Sequence, residues 1–214
     1  MIMTFVGYVA IINRNSGNMT YRQKVLKAIY PALMWVSKIT GGRSKVMTNN
    51  KQTAPPLSLY DLSIQLNNGN ELKLETLKGK KILLVNTASH CGYTNQYDDL
   101  QKIYETNKDK LVVIGFPAND FKEQEEGNDN DIAAFCKINY GITFPLATKS
   151  SVIKGEQQNE IFKWLSDKKL NGWNDQQPTW NFSKYLVNEK GSLTNYFDPA
   201  VSPAGDEIKN AINQ

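Results

Sequence analysis

The chain has 214 residues, of which 40% are apolar and 21% are charged, and its net charge is +4. This size and balance fit one globular domain with a short additional segment. No run of lysine and arginine is interleaved with aromatic residues, so nucleic-acid binding is not expected. Two cysteines and one histidine are too few for a disulfide scaffold or for a four-ligand zinc site without carboxylates, so no structural metal is expected.

The first fifty residues differ from the rest of the chain. Residues 1–12 (MIMTFVGYVAII) are apolar but too short to span a bilayer, and they lack the basic start of a secretory signal. Over residues 22–39 apolar positions recur with helical spacing among basic residues, and Pro31 is expected to kink or split this helix. Two interpretations stay open. The segment is a basic amphipathic helix on a membrane surface, or it is a helix that packs on the domain or frays as a tail.

A change of composition separates this segment from the remainder of the sequence. Residues 40–56 are rich in Gly, Ser, Thr, Asn and Pro, which is typical of a linker. We therefore predict an N-terminal extension over residues 1–50 and a folded domain over residues 51–214. The predicted location is the cytoplasm, with peripheral membrane association through residues 22–39 if the membrane interpretation holds.

From residue 57 onward the pattern becomes regular. Two continuous apolar runs, Lys81–Thr87 and Leu111–Phe116, predict buried strands. Hairpins are predicted over Ser58–Gln65 with Glu71–Leu74 and over Lys184–Asn188 with Leu193–Phe197, and an extended segment over Thr143–Ala147. Helices are predicted over Thr94–Asn107, Asp129–Tyr140 with Asp129 or Asn130 as its N-cap, Asn159–Lys168 and Asp206–Ile212. This order predicts an α/β domain whose mixed sheet is parallel in the middle and antiparallel at one edge.

Cys91 lies in the polar segment Ser89-His90-Cys91-Gly92, after the first buried strand and before a helix. Loops at the carboxyl ends of strands are where α/β domains build sites. A helix N-terminus favours the thiolate, the nucleophilic form, although a lone cysteine can also be a small buried hydrophobe. His90 is expected to be a local surface residue, because adjacent side chains do not face each other. With no second histidine, a Cys–His hydrolase is excluded.

Three blocks of sequence resemble the glutathione peroxidase family: VNTASHCGYT at 85–94, GFPANDFKEQEEG at 115–127 and WNFSKYLV at 180–187. They occur in the family's order, and the resemblance covers residues 57–212. It implies a thioredoxin-like fold, with a mixed central sheet flanked by helices, and the reduction of hydrogen peroxide and organic hydroperoxides by a reactive cysteine. It assigns that role to Cys91, with Gln124, Trp180 and Asn181 as the other catalytic residues.

The chemistry of these partners fits such a reaction. Indole and amide groups are neutral hydrogen-bond donors, suited to a thiolate, a sulfenate or a departing oxygen. A thiol with a pKa of about 8.5 is roughly 3% ionised at pH 7, so complete ionisation would raise the thiolate population only about 30-fold. A fast peroxidase must therefore obtain most of its rate by polarising the O–O bond and stabilising the leaving oxygen.

Cys136 lies on the predicted 129–140 helix, beside Phe135, at a position that suits a buried apolar residue. The resemblance to family members that use thioredoxin implies instead a resolving thiol, which condenses with the Cys91 sulfenic acid to a disulfide. Thioredoxin or glutathione would then restore the dithiol, as a co-substrate and not as a bound cofactor. Because a disulfide requires Cα atoms within about 7 Å, we expect the 129–140 region to loosen during turnover.

Two positions depart from the family's pattern. Ala118 stands where a cysteine often precedes the asparagine of the second block, and His90 stands where a lysine often precedes the reactive cysteine. The second change removes a fixed positive charge beside Cys91. An alternative function is a peroxide sensor or redox relay that passes a disulfide to a client protein. A disulfide oxidoreductase would require a C-x-x-C pair, and Thr94 stands where its second cysteine would be.

Overall fold

The computed structural model describes residues 5–13, 17, 19–39, 45–51 and 53–214. The helices are α1 (Phe5–Ile12), α2 (Tyr21–Ile39), α3 (Gln96–Thr106), α4 (Asp129–Tyr140), α5 (Glu160–Leu165), α6 (Lys168–Asn171) and α7 (Asp206–Asn213). The strands are β1 (Val46–Thr48), β2 (Ser63–Gln65), β3 (Glu71–Lys73), β4 (Lys81–Thr87), β5 (Leu111–Pro117), β6 (Lys184–Val187) and β7 (Leu193–Phe197). Residues 40–44 of the predicted linker lie outside the described residues.

Five strands form one sheet in the order β1-β7-β6-β4-β5, and β2 and β3 form a separate hairpin. The α/β class and the mixed sheet are as predicted. The parallel pair, β4 with β5, lies at one end of this order, so its predicted place in the middle is wrong. The predicted extended segment forms one bridge with β5, between Gly115 and Leu146, and a second bridge between Leu66 and Ala147. Pro145, the neighbour of Leu146, has no N–H with which to continue a ladder.

The sheet separates two apolar cores because both of its faces are covered. Along β4, Leu83 and Val85 face the core shared with α3, α4 and α7, while Ile82 and Leu84 face the core shared with α5. All seven β4 residues are buried. This burial on both faces explains why the strand reads as a continuous apolar run and not as an alternating one.

Some element boundaries differ from those predicted, for local reasons. Helix α4 has the predicted bounds, but its N-cap is Asn128, which forms a capping box with Asp131. The start of the first predicted hairpin strand is a 3-10 turn at Leu59–Asp61, because the Ser58 side chain accepts a hydrogen bond from the Tyr60 N–H. The helix predicted over 159–168 is two short helices, since Asp167 caps α6.

Part of the predicted linker belongs to the sheet. Strand β1 pairs antiparallel with β7, with Val46 opposite Phe197 and Thr48 opposite Asn195. The linker interpretation is therefore wrong for residues 46–48. An edge strand of this length takes its hydrogen bonds from a neighbour distant in sequence and needs no apolar pattern of its own. The domain boundary at residue 51 stays a prediction.

Helices α1 and α2 contact each other. Helix α2 continues through Pro31, which is exposed, so the predicted split does not occur. Its residues Gln23, Ala28 and Tyr30 are buried. The side chains of Leu33 and Trp35, two apolar positions of the predicted amphipathic face, lie outside the described residues. Nowhere in the described part of the chain is a helix both long and apolar enough to cross a bilayer.

Candidate active site

Cys91 lies on the loop between β4 and α3, where Thr94 closes a tight turn. The Cys91 N–H donates to Thr94 Oγ1 at 3.0 Å, and this hydroxyl lies 2.8 Å from the carbonyl oxygens of Ala88 and Cys91. Helix α3 begins only at Gln96, so the helix predicted from Thr94 starts later and Cys91 does not cap it. The turn, and not the helix end, fixes the thiol.

The surroundings of the Cys91 sulfur raise its pKa above the ordinary value, because the side chain is only 2% exposed and the thiolate would lose its hydration. The main groups that oppose this shift are donors. The Tyr93 N–H donates to Sγ at 3.4 Å, and the side chains of Trp180 and Asn181 lower the pKa further. The expectation that position alone favours the thiolate is therefore wrong, since desolvation outweighs these donors.

Trp180 and Asn181 sit on a turn that Asn86 of β4 holds in place. Asn86 Nδ2 donates to the Trp180 carbonyl at 3.1 Å, its Oδ1 accepts from the Ser183 N–H at 3.0 Å, and its own carbonyl accepts from the Phe182 N–H at 2.7 Å. Phe182 has a φ of +67°, which is rare for a bulky residue. Such a backbone persists only where its surroundings enforce it. The turn brings two consecutive donors to one sulfur.

Gln124 joins the site through Asn181. Asn181 Nδ2 donates to Gln124 Oε1 at 3.0 Å, and the Gln124 carbonyl accepts from the His90 N–H at 3.0 Å. The preceding residues, Lys122 and Glu123, both have positive φ, 53° and 51°. Lys122 Nζ lies 5.7 Å from the ring centroid of Trp180. The 119–127 loop thus contacts both the cysteine loop and the Trp180 turn.

Cys136 is fully buried on α4 and is not bonded to Cys91. Burial raises the pKa of its thiol to about 12, while the hydroxyl of Tyr97 lowers it and the charge of Glu125 raises it. The ring of Tyr97 packs edge-on against Phe182, at 5.3 Å between centroids. An aromatic pair therefore connects the surroundings of the second thiol with the Trp180 turn.

Glu125 is a buried carboxyl that the sequence analysis did not single out. Burial raises its pKa to about 7, although Ser89 and the Lys149 ammonium lower it. It lines an open cleft of about 280 Å³ together with Ser89, His90 and Phe135. His90, predicted to be a local surface residue, is partly buried in the wall of this cleft.

Asn86, Thr94 and Glu125 were all missed by sequence reasoning. A signal existed for Asn86, which is a polar residue inside an apolar run that reads as a buried strand. Within the described ranges, no group of three or more histidine, cysteine, aspartate or glutamate side chains could hold a metal ion.

With this geometry in place, comparison with known proteins identifies the chain's relatives. The glutathione peroxidase family model matches residues 59–166, about half of the chain. The chain belongs to the glutathione peroxidase family. The family match includes Cys91, Gln124 and Cys136 and ends before Trp180 and Asn181.

The chain is also similar to individual proteins whose names place them in this family. The glutathione peroxidase homolog BsaA of Staphylococcus epidermidis is 42% identical over 158 residues, which are 73% of this chain and 98% of that protein. The glutathione peroxidase-like peroxiredoxin 2 of Saccharomyces cerevisiae is 37% identical over 160 residues, 73% of this chain and 98% of that protein. A crystal structure of Trgpx in its apo form is 31% identical and has a TM-score of 0.55, over 73% of this chain and 93% of that chain.

Family membership confirms two predictions from the sequence. The fold is thioredoxin-like, with a mixed central sheet flanked by helices. The protein is a thiol-dependent peroxidase. The roles of Cys91, Gln124, Trp180, Asn181 and Cys136 stay predictions, to which the contacts described above give a geometry.

Proposed function

We propose that this peroxidase reduces hydrogen peroxide and organic hydroperoxides through a cycle of two cysteines, Cys91 and Cys136. The observation that carries the proposal is the convergence of the Tyr93 N–H, Trp180 and Asn181 on the Cys91 sulfur. Donors gathered around one buried sulfur suit a reaction in which negative charge passes from sulfur to oxygen.

In the first step the Cys91 thiolate attacks the nearer peroxide oxygen. An S–O bond forms, the O–O bond breaks, and the departing oxygen takes the proton released by the thiol and leaves as water or an alcohol. Sulfur is oxidised to sulfenic acid and the peroxide is reduced. The indole N–H of Trp180 and the amide of Asn181 stabilise the thiolate before the attack and the departing oxygen during it. Stabilisation of the departing oxygen would speed the attack even though the pKa of Cys91 is raised.

In the second step the Cys136 thiol attacks the Cys91 sulfur. The S–S bond forms, the S–O bond breaks, and the hydroxide leaves with the thiol proton as water. Cys136 is fully buried on α4, and we propose that α4 opens before the two sulfurs meet. A thioredoxin-type dithiol, or two glutathione molecules, then reduces the disulfide, so electrons pass through sulfur alone and no bound cofactor is used.

A sensor or relay is the second candidate, and the burial of Cys136 is the observation that favours it. If α4 opens slowly, the Cys91 sulfenic acid persists long enough for a client thiol to attack it. The disulfide would then pass to the client, with water as the product of the condensation. Full turnover with a reductant in the absence of a client separates the two functions.

The deciding experiment is steady-state peroxide reduction coupled to NADPH oxidation. Wild type and Cys136→Ser are compared with thioredoxin and its reductase, and separately with glutathione and its reductase, with Cys91→Ser as the inactive control. We expect wild type to turn over with thioredoxin and Cys136→Ser to stop after one peroxide per Cys91. Equal turnover of both proteins with glutathione would contradict the two-cysteine cycle.

Peripheral membrane contact through residues 22–39 stays a prediction from the sequence, and the comparisons give it no support. The burial of Gln23, Ala28 and Tyr30 favours the other interpretation, a helix that packs on the domain. Flotation of the full chain with anionic liposomes tests this. Replacing the exposed Arg22 and the partly buried Lys24 by glutamine should leave flotation unchanged if the helix serves the domain, and should reduce it if the helix binds lipid.

A further inference from the structure

We propose that Gln23 and Lys27 of α2 are positioning residues that hold the segments of both cysteines in the reduced arrangement and thereby slow formation of the Cys91–Cys136 disulfide. The inference rests on the proposed two-cysteine cycle and adds a control of its second step. It also gives a role to a helix that precedes the family match at residues 59–166.

Gln23 connects α2 to the cysteine loop. Its Nε2 donates to the Ser89 carbonyl at 2.9 Å, in a buried contact two residues before Cys91. Its Oε1 accepts from the Thr20 N–H at 2.7 Å, and the Thr20 hydroxyl accepts from the Gln23 N–H at 3.3 Å. These two hydrogen bonds with Thr20 fix the Gln23 side chain on the first turn of α2. The amide group that donates to Ser89 therefore has a fixed position.

Lys27 lies one helical turn further along and contacts the end of α4. Its ammonium is 3.5 Å from the Asn139 carbonyl and 4.7 Å from the ring centroid of Tyr140. It also lies 4.0 Å from Asp98, in the first turn of α3, and its side chain is only 14% exposed. A cation at the carboxyl end of a helix stabilises the carbonyls there, so Lys27 keeps the last turn of α4 closed.

The space between these elements is nearly filled. The gap bounded by Gln23, Lys27, Cys91, Gly92 and Tyr140, with their neighbours, offers only about 10 Å³. That is too little for a side chain to enter, and it is at the lower limit for one water molecule. Little free space therefore separates α2, the Cys91 loop and the end of α4.

Helix α2 is also held by packing along its length, so moving it costs free energy. Tyr30 and Ala28 of this helix are both buried. Just before the helix, Met19 packs in the core that contains Cys91 and Cys136. On this proposal, opening of α4 breaks the contacts of Lys27, and movement of the cysteine loop toward Cys136 breaks the contact of Gln23 with Ser89. Their free energy adds to the barrier of the second step and not to that of the first.

A single-turnover experiment on the full chain tests the inference. Reduced protein is mixed with one equivalent of hydrogen peroxide, sulfenic acid is trapped with a dimedone-type reagent, and the disulfide is counted by mass after thiol alkylation. The variants are Gln23→Ala, Lys27→Met and the double variant. The matched control is Arg22→Met, at an exposed position of the same helix.

We expect each single variant to form the disulfide about fivefold faster and the double variant more than tenfold faster, as for contacts of about 1 kcal/mol each. Peroxide attack should stay within twofold of wild type, and Arg22→Met should change neither step. A merely structural role would slow or destabilise both steps alike. Equal disulfide rates in all proteins would overturn the inference and leave the cycle intact. A complete absence of disulfide in wild type and variants would overturn the two-cysteine cycle, and the inference with it.

Hydrogen exchange of the wild-type protein gives an answer that depends on no variant. Amides of α2 should lose protection when the Cys91–Cys136 disulfide forms, together with those of α4. Loss of protection in α4 alone would show that α4 opens without moving α2 and would contradict the inference.

Discussion

Asn86 hydrogen-bonds the carbonyl of Trp180 across 3.1 Å, although the two residues lie far apart in sequence. Asn86 belongs to β4, and its Oδ1 also accepts from the Ser183 N–H on the far side of the Trp180 turn. Strand β4 therefore holds the turn that carries Trp180 and Asn181 directly. This connection makes the position of Trp180 a property of the fold and not of a surface loop.

Asn86→Ala should lower both the stability and the activity of the protein, and a control variant separates the two effects. The change leaves the buried Ser183 N–H unpaired, so we expect unfolding free energy to fall by about 2–3 kcal/mol. The Trp180 turn also loses its support, so single-turnover peroxide attack should slow by about tenfold or more. Asn195→Ala is the control, since Asn195 is also buried in the sheet but bonds Thr48. That variant should lose stability in urea and keep the rate of peroxide attack.

Trp180→Phe tests the indole donor while keeping an aromatic ring against Phe121. Loss of the N–H should raise the pKa of Cys91 and lower the rate of peroxide attack by about 10²–10³, the cost of removing one such donor. The pKa is read from the pH dependence of Cys91 alkylation. Trp173→Phe, in the other core, should change neither quantity. An unchanged Cys91 pKa in Trp180→Phe would show that the indole serves packing alone.

The raised pKa of Glu125 should make the free energy of unfolding depend on pH. Its pKa is about 7 in the folded protein and 4.5 ordinarily, so the folded state keeps a proton that the unfolded state has lost. Stability from this group is therefore fully present below about pH 4.5, falls as pH rises, and is lost above about pH 7. The change amounts to about 3 kcal/mol. Urea unfolding of Glu125→Gln should lack this decline, whereas Glu126→Gln, at an exposed position, should retain it.

Lys122→Gly tests the strain in the 119–127 loop. Lys122 is exposed and has a φ of +53°, a conformation that glycine adopts without cost. We expect the variant to be as stable as wild type or up to about 1 kcal/mol more stable. Lys163→Gly, at an exposed position inside α5, should lose about 1 kcal/mol. A similar loss in both variants would mean that the contact of Lys122 with Trp180 outweighs the backbone strain.

The elements predicted best are those whose pattern is local. Strand β4 and helix α4 have the predicted bounds, because a continuous apolar run and a capped helical repeat both act within a few residues. Strand β1 was missed, because its partner β7 lies at the other end of the chain. Sequence alone also left open where α2 packs, since its amphipathic face fits a membrane as well as a protein surface.

The features of the candidate site also differ in whether the sequence could predict them. The place of Cys91 on a loop after a buried strand could be predicted, whereas the roles of Gln124, Trp180 and Asn181 rest on the family resemblance and stay predictions. The pKa of Cys91 could not be predicted, because it depends on how completely the folded protein excludes water from the sulfur. Glu125 was hidden in the charged run KEQEEG, where only the structure shows which carboxyl is buried.

The depth of Cys136 has a consequence for how the enzyme responds to heat. A thiol in the middle of a closed helix is beyond the reach of electrophiles, metal ions and stray oxidants for as long as that helix stays closed. Under the two-cysteine cycle every turnover includes a local opening of this helix, and openings of that kind have large activation enthalpies. Warming should therefore accelerate the return of the enzyme to its reduced state far more than its capture of peroxide. At low temperature and with peroxide in excess, the sulfenic acid should therefore accumulate.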